Sequence, residues 1–109
     1  MNFEIKATDY FERRLKRLSE KYKSLLDDLL KIIGQLSDDP YFGTPLGKDC
    51  YKIRIAIASK GKGKSGGARL ITYVRIVKNT IFLMDIFYKA ELENVSPQEL
   101  QKLINKLSA

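Results

Sequence analysis

The sequence predicts an α+β fold of order β-α-α-β-β-β-α, with a helix hairpin packed on a four-stranded, mainly antiparallel sheet. Three observations carry that prediction. Apolar residues recur with the helical period over residues 9–36; three segments between 50 and 88 are alternating or rich in β-branched and aromatic residues; and the last helical pattern opens on a capping box. At 109 residues and 44% hydrophobic composition, the chain has the size that buries one continuous core, so residues 1–109 are expected to form a single domain.

The opening Phe3-Glu4-Ile5-Lys6-Ala7 alternates apolar and polar, the period of a half-buried strand. From Asp9, with Glu12 three residues on as a variant capping box, Phe11, Leu15, Leu18 and Tyr22 fall on one helical face. Ser24 then precedes Leu25, Leu26, Leu29, Leu30, Ile33 and Leu36, a second helix with a wide apolar stripe. Two helices joined so closely pack antiparallel and bury their stripes. Residues 37–49 are dense in Pro, Gly and Asp and read as a loop.

Tyr51, Ile53, Ile55 and Ile57 then alternate with Cys50, Lys52, Arg54 and Ala56, which gives a strand with one apolar face and one basic face. Ala68–Val77 and Thr80–Tyr88 supply two more strands, with Lys78-Asn79 as a tight hairpin turn. Ser96-Pro97-Gln98-Glu99 sets an N-cap, a proline at the first helical position and a capping-box glutamate before Leu100, Leu103, Ile104 and Leu107. The helix hairpin is expected to cover one face of the sheet and leave the other partly open.

Charge and composition exclude several classes of function. No apolar run is long enough to span a membrane, and the N-terminus lacks the pattern of a signal peptide, so a cytoplasmic location is expected. There is no histidine and a single cysteine, Cys50, which leaves no metal-ligand spacing, no internal disulfide and no histidine-based catalysis; no metal or other cofactor is expected. The net charge of +7 is concentrated. Residues 1–47 balance eight basic side chains against eight acidic ones, and residues 79–109 set three against four. Residues 48–78 hold nine basic groups against Asp49 alone, the footprint of a polyanion-binding surface.

Within that segment, Ser59-Lys60-Gly61-Lys62-Gly63-Lys64-Ser65-Gly66-Gly67 alternates lysine with glycine. Glycine lets backbone N–H groups approach a phosphodiester chain, and lysine adds point charges, so the loop offers phosphate affinity without base readout. It resembles a phosphate-binding nucleotide loop, but the first glycine of that motif is missing, and the loop joins strand to strand with no helix behind it, which rejects nucleotide triphosphate binding. Three lysines alone would describe a solvated hairpin tip. Lys52 and Arg54 on one strand and Arg69, Tyr73 and Arg75 on the next extend the loop into a basic strip, which favours RNA-backbone binding. The candidate RNA-binding residues are Lys48, Lys60, Lys62, Lys64, Tyr73, Arg75 and Tyr88; for Tyr73 and Tyr88, packing within the strands competes with base stacking.

Asp49-Cys50-Tyr51-Lys52-Ile53-Arg54 and Gly66-Gly67-Ala68-Arg69-Leu70-Ile71-Thr72-Tyr73, together with the element order, resemble the corresponding strands of RelE-type toxins. The Ser-Lys-Gly-Lys-Gly-Lys loop is most similar to the HigB-like branch of the RelE/ParE superfamily. This resemblance implies a toxin of a type II toxin–antitoxin system. Its activity would be that of a ribosome-dependent mRNA endoribonuclease, and its partners would be a cognate antitoxin protein, mRNA and the ribosome. It assigns the basic strand pair to Lys52 and Arg54 and the phosphate-clamping arginine to Arg69. The family's second arginine falls near Tyr88-Lys89-Ala90 and its later tyrosine near Val95. Lys89 or Tyr88 is the candidate for the arginine's role, and Lys60, Lys62 and Lys64 for the missing charge. The expected catalytic set is therefore Lys52, Arg54, Arg69 and Lys89, with Lys52 as base in the absence of histidine. Two alternatives stay open: a non-catalytic ParE-like gyrase inhibitor, and an RNA- or ribosome-docking module without cleavage.

Overall fold

The computed structural model describes residues 3–61, 66–89 and 95–108. Strand β1 (Glu4–Ala7) leads into helices α1 (Asp9–Lys21) and α2 (Leu25–Asp38). Strands β2 (Thr44–Gly47), β3 (Cys50–Ile55), β4 (Ala68–Arg75) and β5 (Thr80–Tyr88) follow, and helix α3 (Pro97–Asn105) closes the chain. The sheet order is β1-β5-β4-β3-β2, with β1 parallel to β5 and every other pair antiparallel. Period-two alternation sorts each strand's side chains between two faces. One face carries Ile53, Ile55, Leu70, Ile81, Leu83 and Ile86 and packs on Phe11, Leu18, Leu25, Leu29 and Leu36 of the helix hairpin. On the opposite face Cys50, Ile71, Met84 and Phe87 meet Leu100 of α3.

Several expectations need adjustment. The sheet has five strands, because part of the 37–49 segment forms the edge strand β2. An edge position tolerates Pro45, since the missing N–H faces away from the ladder. The β2–β3 turn is a two-residue hairpin with Lys48 (φ 56°) and Asp49 (φ 62°) both left-handed, the backbone that matches strand twist. Thr8, not Asp9, caps α1, its side chain accepting from the Phe11 N–H. Strand β4 stops at Arg75, and a 3-10 turn at Ile76–Lys78 ends on left-handed Asn79. The capping box of α3 is present in full: the Ser96 side chain accepts from the Glu99 N–H, and the Glu99 carboxylate accepts from the Ser96 N–H.

Helix α3 decides how much of the second face stays open. Its apolar side lies over the middle and the β5 side of that face and leaves the β3 side, at the Arg54 end, uncovered. No helix among the described residues is long and apolar enough to cross a membrane.

Candidate RNA-binding and cleavage site

The site begins with a register. Arg54 of β3 and Arg69 of β4 are directly opposite residues, and the next partner in the row is Phe87 of β5. All three therefore belong to the α3 face of the sheet. In the neighbouring row Lys52 opposes Ile71, which opposes Asp85. Side chains in directly opposite positions have Cβ atoms about 5 Å apart, and like charges so placed are destabilising. Two arginines so placed concentrate positive charge at one end of this face of the sheet.

The two arginines differ in exposure. Arg54 is exposed, whereas Arg69 is 4% exposed, and its Nη1 donates to the Ala68 carbonyl at 3.1 Å. Burial, and then the Arg54 guanidinium, push Arg69 below the usual arginine range; an arginine nevertheless stays a cation at physiological pH. Gly67 sets the entry of Arg69 into the sheet. A Cβ at that position would lie 1.9 Å from the Ile55 carbonyl oxygen, so only glycine allows β3 and β4 to meet there. Lys89 follows β5, and its N–H donates to the Gly67 carbonyl at 3.2 Å, which extends the β4–β5 ladder by one step beside the Arg69 row. Lys52, Arg54 and Arg69 thus share one face of the sheet, and Lys89 follows β5 at the Arg69 end.

The remaining candidates are spread more widely. Tyr73 stacks on Phe82 with ring centroids 6.2 Å apart and packs beside α3, so its ring serves the second core. Arg75 is six residues beyond Arg69 on the same strand, about 20 Å away at the rise of a β-strand. Lys48 donates to Gln101 of α3 at 3.0 Å. Tyr88 lies on the helix-hairpin face, its ring 5.1 Å from that of Tyr22. Lys60 sits over both rings, at 5.2 Å from the Tyr22 centroid and 4.7 Å from that of Tyr88. A hydrogen bond with the Tyr88 hydroxyl pushes the Lys60 ammonium up from its ordinary value. The sheet therefore separates Lys60 and Tyr88 from the arginine pair. Lys62 and Lys64 lie outside the described residues.

Two features escaped the sequence. The first anchors the base of the lysine-glycine loop. The Ser24 hydroxyl donates to the buried Asp28 carboxylate at 2.8 Å, and that carboxylate accepts from the Ala58 N–H at 3.0 Å. The Ser59 N–H donates to Ser24 Oγ at 2.8 Å. Ser24, at the N-cap position of α2, thus makes no side-chain cap bond to a backbone N–H of its helix and instead links Asp28 of that helix to the loop. The second is Asp85, 5% exposed on β5, with its Oδ1 3.2 Å from Arg14 Nε. That Nε donates instead to the Ile86 carbonyl at 3.2 Å. Asp85 Oδ1 is left in charge contact but without a hydrogen bond among the described residues, and burial pushes the Asp85 carboxyl up despite Arg14.

A family model for the RelE toxin of the RelE/RelB toxin–antitoxin system matches residues 6–108. The chain belongs to the RelE toxin family. Solved structures agree on the fold. The free E. coli toxin RelE carrying two arginine-to-alanine substitutions superposes with a TM-score of 0.64 at 15% identity, covering 98% of this chain and 99% of that one. The intact E. coli RelBE toxin–antitoxin complex gives 0.61 at 18% identity, with 79% and 95% covered. A metal-bound toxin from Helicobacter pylori gives 0.54 at 21% identity, with 83% and 98% covered. No group of three or more Cys, Asp or Glu side chains placed to hold a metal ion occurs among the described residues of this RelE-family chain.

Chemically, the cationic end of the RelE-family sheet offers fixed positive charge. Arg69, buried and bonded to the Ala68 carbonyl, is held in one place, while Arg54 is exposed and can adjust to a ligand. A guanidinium pair of this kind suits the oxygens of one phosphodiester group better than a small halide, because each fork can donate two parallel bonds.

Proposed function

We propose that this RelE-family toxin is a ribosome-dependent endoribonuclease that cuts mRNA at the Arg54–Arg69 site. The observation that carries the proposal is the like-charged pair set directly opposite on a half-open sheet face, with one member buried. In the reaction the ribose 2′-hydroxyl gives up its proton to a base, and its oxygen attacks the adjacent phosphorus. The bond from phosphorus to the 5′-oxygen breaks, a 2′,3′-cyclic phosphate remains, and the 5′-oxygen leaves with a proton. Arg54 and Arg69 hold the phosphate and offset the charge that builds on its oxygens. Lys52, one row away on the same face, is assigned as the base, and Lys89 as a cation at the leaving side. A site without a shaped base pocket depends on the ribosome to orient the message, because orientation supplies much of the rate in such reactions.

The protein is further proposed to act in the cytoplasm and to be neutralised by a cognate antitoxin. The pairing of E. coli RelE with its antitoxin supports the second of these. Primer extension on a message incubated with the protein, with and without ribosomes, tests the activity. Cuts confined to the ribosome-bound message, and abolished by a single 2′-deoxynucleotide at the mapped position, are expected. Intact message in every lane would instead favour a docking module or a gyrase inhibitor.

A further inference from the structure

The sequence count of residues 1–47 balances to zero, yet helix α1 does not distribute its charge evenly. At 3.6 residues per turn, Tyr10, Arg13, Arg14, Arg17 and Lys21 share a sector about 100° wide, while Asp9, Glu12 and Glu20 project from the rest of the exposed surface. Arg13, Arg17 and Lys21 are all exposed and follow one another at four-residue spacing. That places a cation at every rise of about 6 Å along the helix, close to the step between neighbouring phosphates of a nucleic-acid strand.

The row is prolonged at both ends. At the start of α1, Lys106 lies over the Tyr10 ring at 4.8 Å. At its end, Lys21 and Lys60 lie over the Tyr22 ring at 5.6 and 5.2 Å. Arg14, in the same sector, is fixed on Asp85 and stiffens the flank against β5. No ion pair ties Arg13, Arg17 or Lys21 to a carboxylate among the described residues. Among the described residues, Asp9 is the one carboxylate that lines a cavity of about 530 Å³ together with Arg13, Lys6 and Lys106.

We infer that this flank of α1 is a docking rail for the backbone of structured RNA, distinct from the cleavage site and, in the setting of the proposed function, for ribosomal RNA. Three observations favour RNA over a protein partner. The large exposed apolar residues, Leu26, Leu30, Tyr41, Ile76 and Val77, all lie off α1. An interface made of cations without apolar anchors suits phosphate contacts, which fix position and carry no base information, whereas protein interfaces rely on buried aromatic or aliphatic anchors. The rail also runs towards the site. Arg17 and Phe87 line one small cleft, and Phe87 is the cross-strand neighbour of Arg69. RNA held along α1 would therefore pass the end of the sheet where the arginine pair stands.

The inference is tested by binding. Wild type, an Arg13→Ala/Arg17→Ala double variant, a Lys16→Ala control on the opposite flank, and Arg69→Ala are titrated against purified ribosomes and a 20-base-pair RNA duplex over a range of salt concentrations. Each lost phosphate contact lowers the slope of log affinity against log salt by about one. The double variant is therefore expected to lose about two units of slope and to bind roughly tenfold or more weakly at 0.1 M salt. Lys16→Ala should stay near wild type, and Arg69→Ala should lose no more than the roughly one unit of slope that belongs to its own phosphate contact. Unchanged binding by the double variant, or no ribosome binding by wild type, overturns the inference. So does loss of antitoxin binding alone in the double variant. If the double variant loses ribosome binding while wild type cuts no message, the rail stands and the nuclease proposal falls.

Discussion

Replacing Arg54 with glutamine is expected to make the protein more stable and less active at once. In the native sheet Arg54 faces Arg69 directly across the β3–β4 ladder, with Arg69 almost wholly buried and Arg54 in solvent. Directly opposed like charges cost up to about 1 kcal/mol, and glutamine removes the charge while keeping most of the stem. A gain of about 0.5 to 1 kcal/mol corresponds to a rise of about 2 to 6 °C in Tm for a domain of this size. Salt should erase the gain, because the Debye length falls to about 3 Å at 1 M. Circular-dichroism melts of wild type and variant at 20 mM and 1 M salt read the difference, and a ribosome-bound cleavage assay reads the activity. A variant that melts below wild type by the same margin at both salt concentrations would refute the repulsion between the two guanidinium groups.

Other expectations follow from single contacts. Gly67→Ala drives a methyl group into the Ile55 carbonyl; overpacking of this kind costs about 1 to 3 kcal/mol. It should lower both Tm and cleavage, and an unchanged melt would contradict the close approach. Asp85 has a raised carboxyl pKa, so folding disfavours its ionised form. The stability cost is absent below the ordinary carboxylate value of about 3.9 and grows as pH rises towards the raised native value. Urea titrations from pH 3 upward should therefore show Asp85→Asn gaining on wild type through that window and then holding level; a difference flat with pH would count against it. Cys50 is 1% exposed, and burial, aided by Asp49 and opposed by Lys48, pushes its thiol up to about 11. It should resist a thiol reagent at pH 8 in the native protein and react at once in denaturant; rapid native labelling would show that α3 does not stay closed over it.

Much of the architecture could be read from local pattern. The isoleucine alternation of 51–57 and the leucine stripes of the first two helices each fix a face without help from the rest of the chain. Strand β2 could not be read that way, because Pro45 and its flanking glycines signal a turn and only pairing with β3 makes them a strand. The arginine pair was half legible. Alternation put Arg54 and Arg69 on polar faces, but their direct opposition depends on register. The lysine-glycine loop assigns Lys60 to RNA, and the capacity of an aromatic ring to stack on bases assigns Tyr88. In the fold, the cation–π contacts with Tyr22 and Tyr88 hold them on the other side of the sheet. The flank of α1 was hidden for the opposite reason: a segment count adds Arg13 and Arg17 to Glu12 and Glu20, and only the helix turn separates them.

The central claim is that the Arg54–Arg69 site cuts RNA, and single-turnover cleavage of a ribosome-bound message tests it most directly. Arg69→Ala and Lys52→Ala are compared with wild type at protein concentrations that saturate the ribosome. Loss of one group that stabilises transition-state charge typically costs about 100-fold or more in rate. Each variant is therefore expected to fall at least that far while still binding the ribosome and melting within a few degrees of wild type. Cleavage by Arg69→Ala at a rate within about threefold of wild type would contradict the account and place the cutting chemistry elsewhere on the molecule.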